Sequence, residues 1–333
     1  MILGNTLTEI QNTETAHTDV PNSFVVDADY SGMRLDAYLA DAIEGWSRSR
    51  LQRLIENEDV LVNEKPVKPS YKLHSGDEIE VDLVEAQAAR FEPENIPLDI
   101  VFEDEFLAVI NKPAGMVVHP GAGVQSGTLA NAIAYHFEFE QTEVKDDRSE
   151  LRIGIVHRLD KDTSGLIVVA KNDEIHEALS EQFRSRQVYK SYVALVHGSP
   201  DQNMGKIDAP IGRNKHNRLR MKVATHGRSA LSLWKVRTRY AKFTLLDVEI
   251  KTGRTHQIRV HTAFINHPVV GDEIYNEGRD NTVADTNTRN AIASMPRFFL
   301  HAERLSFTHP KTQERLEFSQ PLPPELTGFL ELL

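Results

Sequence analysis

Two short apolar runs, 153–156 and 166–170, enclose a loop that carries His157, Arg158, Asp160, Lys161, Asp162, Thr163 and Ser164. A hydrophobic core has no use for such a set, whereas a loop held between two buried strands is a rigid mount for a reactive group. Asp160 stands between Arg158 and Lys161, whose positive charges favour the carboxylate form. An ionised carboxylate can serve as nucleophile or as base. The same residues also suit a plain turn in which the carboxylate caps backbone amides, and spacing alone does not separate the two. Gly165 closes the loop, where a positive φ or a close backbone approach is tolerated. A glycosidase built on Asp160 and Asp162 is a weak alternative. Those enzymes hold two converging carboxyl groups about 5–9 Å apart, and neighbours across a turn need not face each other.

Other chemistry-bearing residues narrow the choice. His256, His261 and His267 invite a metal site, but their spacing matches no standard ligand pattern and no carboxylate lies among them, so no metal is expected. Cysteine is absent, which excludes thiol nucleophiles and disulfides. The His119–Gly123 loop is rich in glycine but lacks the lysine and following helix of a nucleotide-binding loop, and it reads as a turn. Tyr192, in an alternating run over 188–196, is by spacing alone a core residue. Residues 211–229 form a basic stretch with Arg213, Lys215, Arg218, Arg220, Lys222 and Arg228 and no acid. A projecting hairpin of this kind is suited to gripping phosphates.

The whole-chain charge points the other way. The 333 residues carry a net charge of −11, unlike a protein with a basic footprint. The sum hides segregation, because no Lys or Arg precedes Arg34 while Glu9, Glu14, Asp19, Asp27 and Asp29 do, and a second acidic cluster spans 138–147. A nucleic acid responds to the local patch, so the net value does not decide the matter. No run of about 18 apolar residues is present, so no membrane span is expected. The acidic, polar start is unlike a secretory signal, and a cytoplasmic monomer is expected.

The elements that must position these groups follow from periodicity. Residues 1–22 read as a disordered tail, 23–84 as a small compact unit, 85–95 as a linker and 96–333 as a large α+β domain. In the small unit a helix over 35–43 is followed by Ser47 as N-cap of a helix over 48–57, which turns Arg48, Arg50 and Arg53 outward. Strands are expected at 60–62 and 78–83. The large domain reads as strands at 98–102, 106–111, 116–118, 188–196, 243–250, 299–302 and 305–307. Helices are expected over 128–137, 173–186 and 324–333, and 276–295 reads as a polar, turn-rich insertion.

His157-Arg158-Leu159-Asp160 followed by Thr163-Ser164-Gly165 resembles the signature of the RluA-type pseudouridine synthases. Asn111-Lys112-Pro113, Lys190-Ser191-Tyr192 and the run from Gly253 to His261 are similar to further motifs of that family. The order of elements over 34–83 resembles an S4 RNA-binding domain. The resemblance implies a catalytic domain built on a largely antiparallel mixed sheet, preceded by a small S4-like α/β domain. It implies that Asp160 is catalytic, that Tyr192 stacks on the target base and acts as general base, itself or through a water it orders, and that Arg259 pairs with Asp160. Arg158 would fill the gap left by the flipped base, with His157 and Arg254 beside it on the RNA-facing side. Arg34, Arg48, Arg50 and Arg53 would meet RNA from the S4-like unit. No cofactor is implied, because isomerising uridine involves no redox step and no net hydrolysis. The partner would be large-subunit ribosomal RNA or a pre-ribosomal particle. A family member acting on transfer RNA and a non-catalytic RNA-binding or ribosome-assembly protein are the alternatives.

Overall fold

The computed structural model describes residues 23–43, 46, 48–56, 58–81, 92–120, 124, 126–137, 154–214, 217 and 220–333. The tail, Ser47, most of the linker, Gly121–Gly123, the 138–147 cluster, Lys215 and Arg218 lie outside the described residues, as do the side chains of Arg50 and Arg53. The chain divides into two compact units, Met1–Leu83 and Val84–Leu333.

The first unit holds β1 (Ser23–Val25), α1 (Leu35–Ala42), α2 (Arg48–Glu56), β2 (Val60–Val62), β3 (Lys65–Pro66) and β4 (Glu78–Val81). The strands form an antiparallel sheet in the order β1-β4-β2-β3. Asn63 and Glu64 join β2 to β3 with φ of 50° and 63°, the left-handed pair that a two-residue hairpin requires. Leu35, Leu39, Leu51, Ile55, Val60 and Ile79 close one small core, as the helical and strand periods demand.

The second unit continues with β5 (Ile100–Glu103), β6 (Leu107–Lys112), α3 (Leu129–His136), β7 (Ser164–Ala170), α4 (Asp173–Arg184) and β8 (Tyr189–His197). Then come β9 (Met204–Asp208), β10 (Ile211–Arg213), β11 (Met221–Val223), β12 (Leu231–Arg239), β13 (Phe243–Ile250) and α5 (Gln257–Phe264). The chain ends with α6 (Thr286–Ser294), β14 (Leu300–Thr308), β15 (Arg315–Ser319) and α7 (Pro324–Leu330). One sheet runs β5-β6-β7-β14-β8-β13-β12-β9, with β15 on β14. All its pairings are antiparallel except β7 with β14. The mixed, largely antiparallel sheet expected from the sequence is therefore present.

Both faces of the sheet's middle are covered. Leu107, Val109, Leu166 and Val168 pack with Ile175 and Leu179 of α4, while Ala108, Ile110, Ile167 and Val169 pack with Leu129 and Ile133 of α3. This double burial explains why β6 and β7 read as nearly continuous apolar runs. It also fixes Gly165. Its φ is +113°, and a Cβ there would lie 2.2 Å from the carbonyl oxygen of Ala302, where the parallel pair comes together.

Several expectations are corrected. Among 154–156 only Ile155 makes a bridge, to Val169, so among the described residues the Asp160 loop has a strand on its C-terminal side alone. Residues 116–118 form no strand; they lie in the turn after β6. Helices α5 and α6 occupy segments that show little apolar periodicity. In α5 the buried side includes Gln257, Arg259, His261 and Thr262, so polar residues stand where a helix normally shows apolar ones. Residues 276–295 are not merely turns, since α6 forms most of their second half under an Asp285 cap whose carboxylate accepts from Thr288 N.

Candidate active site

The loop from Asp160 to Thr163 is gripped from below through its own backbone. Lys112, fully buried at the end of β6, donates from Nζ to the carbonyls of Pro113, Met116 and Lys161 at 2.7, 2.9 and 3.0 Å. Arg297 donates from Nη1 to Asp162 O and Leu300 O, both at 3.1 Å, and from Nη2 to Glu325 of α7. Gly115 N donates to Lys161 O at 2.9 Å. Two loop carbonyls, those of Lys161 and Asp162, are thus held from below, which fixes the main chain while Asp160 faces the cavity. Burial pushes Lys112 down to about 7, opposed by the charges of Asp162 and Asp160.

Above this loop lies a cavity of about 500 Å³ whose wall is assembled from distant parts of the chain. Asp160, Arg158 and Lys161 come from the loop, Tyr192 from β8, Arg254, His256 and Arg259 from the start of α5, and Asp272 from the turn beyond it. The structure thus brings together five residues singled out from sequence: Arg158, Asp160, Tyr192, Arg254 and Arg259.

Arg259 is 4% exposed, and its guanidinium divides its donors between two acids. Nε and Nη2 meet the two oxygens of buried Asp272 at 2.7 and 2.8 Å, while Nη1 reaches Asp160 Oδ2 at 3.3 Å. The expected pairing with Asp160 is present but is the longer contact. Arg259 is anchored on Asp272 and offers its remaining nitrogen to Asp160. Its flat group also lies 4.2 Å over the Phe298 ring and 5.0 Å from the Tyr275 ring centre. Asp272, Tyr275, His256, Arg297 and Phe298 escaped the sequence analysis as site residues. Only His256 had a signal, its place in the Gly253–His261 run.

Tyr192 is buried, and burial together with the negative charge of Asp160 raises its phenol well above the ordinary range. At neutral pH the cavity therefore offers a neutral hydroxyl and a ring face, not a phenolate.

His157 is placed elsewhere than expected. Its Nε2 accepts the Val168 backbone N–H at 3.0 Å, and its ring stacks on Phe183 with centroids 4.5 Å apart. Burial, with the charge of Lys190, lowers it to about 3, so it stays neutral and serves the loop's architecture instead of an RNA surface. His261 bridges Ser232 Oγ and Ala209 O, and His267 donates to His197 O, so these two are occupied structurally. No group of three or more His, Cys, Asp or Glu able to hold a metal occurs among the described residues.

The basic stretch forms the expected hairpin, β10 paired with β11, with Arg213 and Lys222 exposed on it. Arg220 lies 5.5 Å from the Tyr275 ring centre. Arg254 lines the cavity and donates from Nε to Ser229 O at 3.0 Å.

In the first unit, buried Asp36 collects Arg34 through two contacts of 2.9 Å, Arg48 at 3.2 Å and Gln52 at 2.6 Å. The hydrogen bonds from Arg34 lead in holding the Asp36 carboxyl far below its ordinary range. Arg34 and Arg48, 39% and 51% exposed, are thus fixed side by side and not waving in solvent.

Comparison with known proteins gives this geometry a context. The RNA pseudouridylate synthase family pattern matches residues 106–264, and the S4 domain pattern matches 33–79. An uncharacterized RNA pseudouridine synthase of Bacillus subtilis is 42% identical over 300 residues, covering 90% of this chain and 94% of the relative. A ribosomal large subunit pseudouridine synthase D of Nitrosomonas europaea is 41% identical over 324 residues, 97% of this chain and 89% of the relative. Among solved structures, human RNA pseudouridylate synthase domain containing 1 aligns with a TM-score of 0.52 at 26% identity, over 71% of this chain and 89% of that one. With about two-fifths of its residues identical to such proteins over at least 90% of its length, the chain belongs to the RNA pseudouridine synthase family and carries an S4 domain.

Proposed function

We propose that this enzyme isomerises specific uridines of large-subunit ribosomal RNA, using Asp160 as its catalytic carboxylate on a nucleotide flipped out of the RNA. The observation that carries the reading is Asp160 in the cavity wall, 24% exposed and 3.3 Å from a guanidinium anchored on a second acid. The ribosomal target rests on relatives named for it, such as the Nitrosomonas enzyme matched along 97% of this chain.

The reaction breaks the N1–C1′ bond, turns the uracil and joins C5 to C1′, while the C5 proton leaves and N1 gains one. Three routes start from the carboxylate: addition to C1′, addition to the base, or removal of a proton from C2′. Each needs the carboxylate facing the nucleotide, and Arg259, 3.3 Å away, holds it in place. Tyr192, neutral in its buried setting, offers its ring as a platform for the base and orders the water that takes the C5 proton. Leaving the stack costs the nucleotide a few kcal/mol, and exposed Arg158 at the cavity edge fills the space left behind. Arg213, Lys215, Arg218, Arg220 and Lys222 of the hairpin, with Arg254, hold the phosphates. Residues 23–84 act as a separate RNA grip through Arg34, Arg48, Arg50 and Arg53, joined by 85–95 to a catalytic domain over 96–333. The enzyme acts as a monomer.

The test is to incubate the protein with unmodified large-subunit ribosomal RNA and map pseudouridine by carbodiimide labelling and primer extension. New stops are expected with the wild type and none with Asp160→Asn, which should still bind the RNA. Turnover by Asp160→Asn would sink the assignment of the carboxylate. Conversion of transfer RNA alone would overturn the ribosomal target.

A further inference from the structure

His256 lies in the cavity wall and has no part in the reaction scheme, and its surroundings are unusually specific. It precedes α5 with φ of 55°, a left-handed conformation uncommon for a residue other than glycine. Its Nδ1 lies 2.8 Å from the hydroxyl of Tyr275, whose oxygen also receives the Met221 N–H of β11 at 2.8 Å. The Tyr275 side chain is therefore the link between hairpin and cavity. Its ring lies between the guanidinium groups of Arg259 and Arg220, at 5.0 and 5.5 Å, and packs with Ile211 and Val223 of the hairpin.

The hydrogen bonds settle the tautomer. The Tyr275 oxygen already accepts from Met221, and its own proton needs an acceptor in a site that is 5% exposed. His256 Nδ1 is that acceptor, which leaves the ring proton on Nε2. Burial lowers the imidazole and raises the phenol, so both groups stay neutral. The charged groups facing His256 are Asp160 and Arg158 of the loop, Arg259 of α5 and Asp272 of the following turn.

We propose that His256 donates an Nε2 hydrogen bond to an oxygen of the flipped uridine, and that Tyr275 is the positioning residue that fixes this tautomer and ties it to the docked hairpin. The proposal rests on the Asp160 cavity being the active site. It makes the RNA grip part of the chemistry. When the hairpin is seated, Met221 occupies the phenol oxygen and the phenol proton is directed at His256. When the hairpin is displaced, the phenol can turn and the imidazole loses its fixed donor.

Single-turnover rates at saturating enzyme test this on large-subunit ribosomal RNA, or on transfer RNA if that is what the wild type converts. His256→Phe, which keeps a ring but no donor, should lower the rate about 10–100-fold while RNA affinity stays within about twofold. His256→Gln, which restores an N–H donor, should recover most of the loss. Tyr275→Phe keeps the ring between the two arginines and removes only the hydroxyl. Its rate should fall about tenfold, with no further fall when it is combined with His256→Phe. A wild-type rate in His256→Phe, no recovery in His256→Gln, or losses that multiply in the double variant would each overturn the proposal. Asp160→Asn in the same assay separates the two levels. Activity there would discard the cavity itself, whereas an inactive Asp160→Asn beside a fully active His256→Phe discards only the role of His256.

Discussion

Asp272 meets Arg259 with both of its oxygens and also accepts from Ile274 N at 3.1 Å and Tyr275 N at 3.3 Å, so it fixes the guanidinium plane and the turn around it together. Replacing it by Asn leaves a buried guanidinium with one long contact to an acid. Asp272→Asn should destabilise the catalytic unit by about 3 kcal/mol and lower turnover, measured by chemical denaturation and by the pseudouridine assay. Arg259→Ala should lower turnover in the wild type and change nothing further in Asp160→Asn. Additive losses would show that Arg259 acts apart from the carboxylate. Asp160 and Arg259 were legible because each sits in a run that resembles a motif of the family, His157–Gly165 for one and Gly253–His261 for the other. Asp272 was not, since it follows Val269-Val270-Gly271 as one of 49 acids and acquires its importance only from a partner 13 residues away.

At the scale of elements, the catalytic loop is held more by what lies beneath it than by its own sequence. Lys112 joins the end of β6, the turn after it and the loop through three carbonyl oxygens. Lys112→Met preserves the apolar stem but leaves those carbonyls without a donor. It should destabilise the fold by about 3 kcal/mol and reduce turnover with little change in RNA binding, read from a denaturation midpoint and a binding isotherm. An unchanged midpoint would mean that water replaces the ammonium. Strands β6, β7, β8 and β13 could be read from sequence because their apolar runs have strand length. The runs at 116–118 and 153–156 are just as apolar, yet too short for periodicity to tell a strand from a turn lining a cavity. Helix α5 was hidden for the opposite reason. It buries Gln257, Arg259 and His261 because they hold the site and the adjoining loops, so the pattern that marks a helix is overwritten by function.

For the whole molecule, partly buried histidines give stability a defined pH dependence. His157 sits at about 3 and His119 at about 4 when folded, against an ordinary 6.5, lowered chiefly by burial. Below pH 6.5 the unfolded chain takes up protons that the folded chain refuses. Stability is therefore lost as pH falls from about 6.5 towards 3, with a slope of up to about 1.4 kcal/mol per pH unit for each histidine. His157→Gln keeps a hydrogen-bond acceptor and cannot titrate in this range. Its thermal midpoint should fall less steeply than that of the wild type between pH 6.5 and 4. Parallel curves would show that His157 charges without penalty.

The amino-acid sequence by itself determined the division into a small unit and a large α+β domain, strands β5 to β8, β13 and β14 of the central sheet, and the loop holding Asp160. These are features of local pattern, in which neighbours along the chain set the period and the polarity. It also showed that an acidic chain can carry a basic hairpin, since charge segregation is visible residue by residue. Only the tertiary structure decided which charged groups meet. It anchored Arg259 on Asp272, turned His157 from the RNA face to a backbone amide, placed Tyr192 in one cavity wall with Asp160, and linked the hairpin to His256 through Tyr275. Hydrogen-bond partners and burial depend on elements far apart in the chain, and no local spacing encodes them.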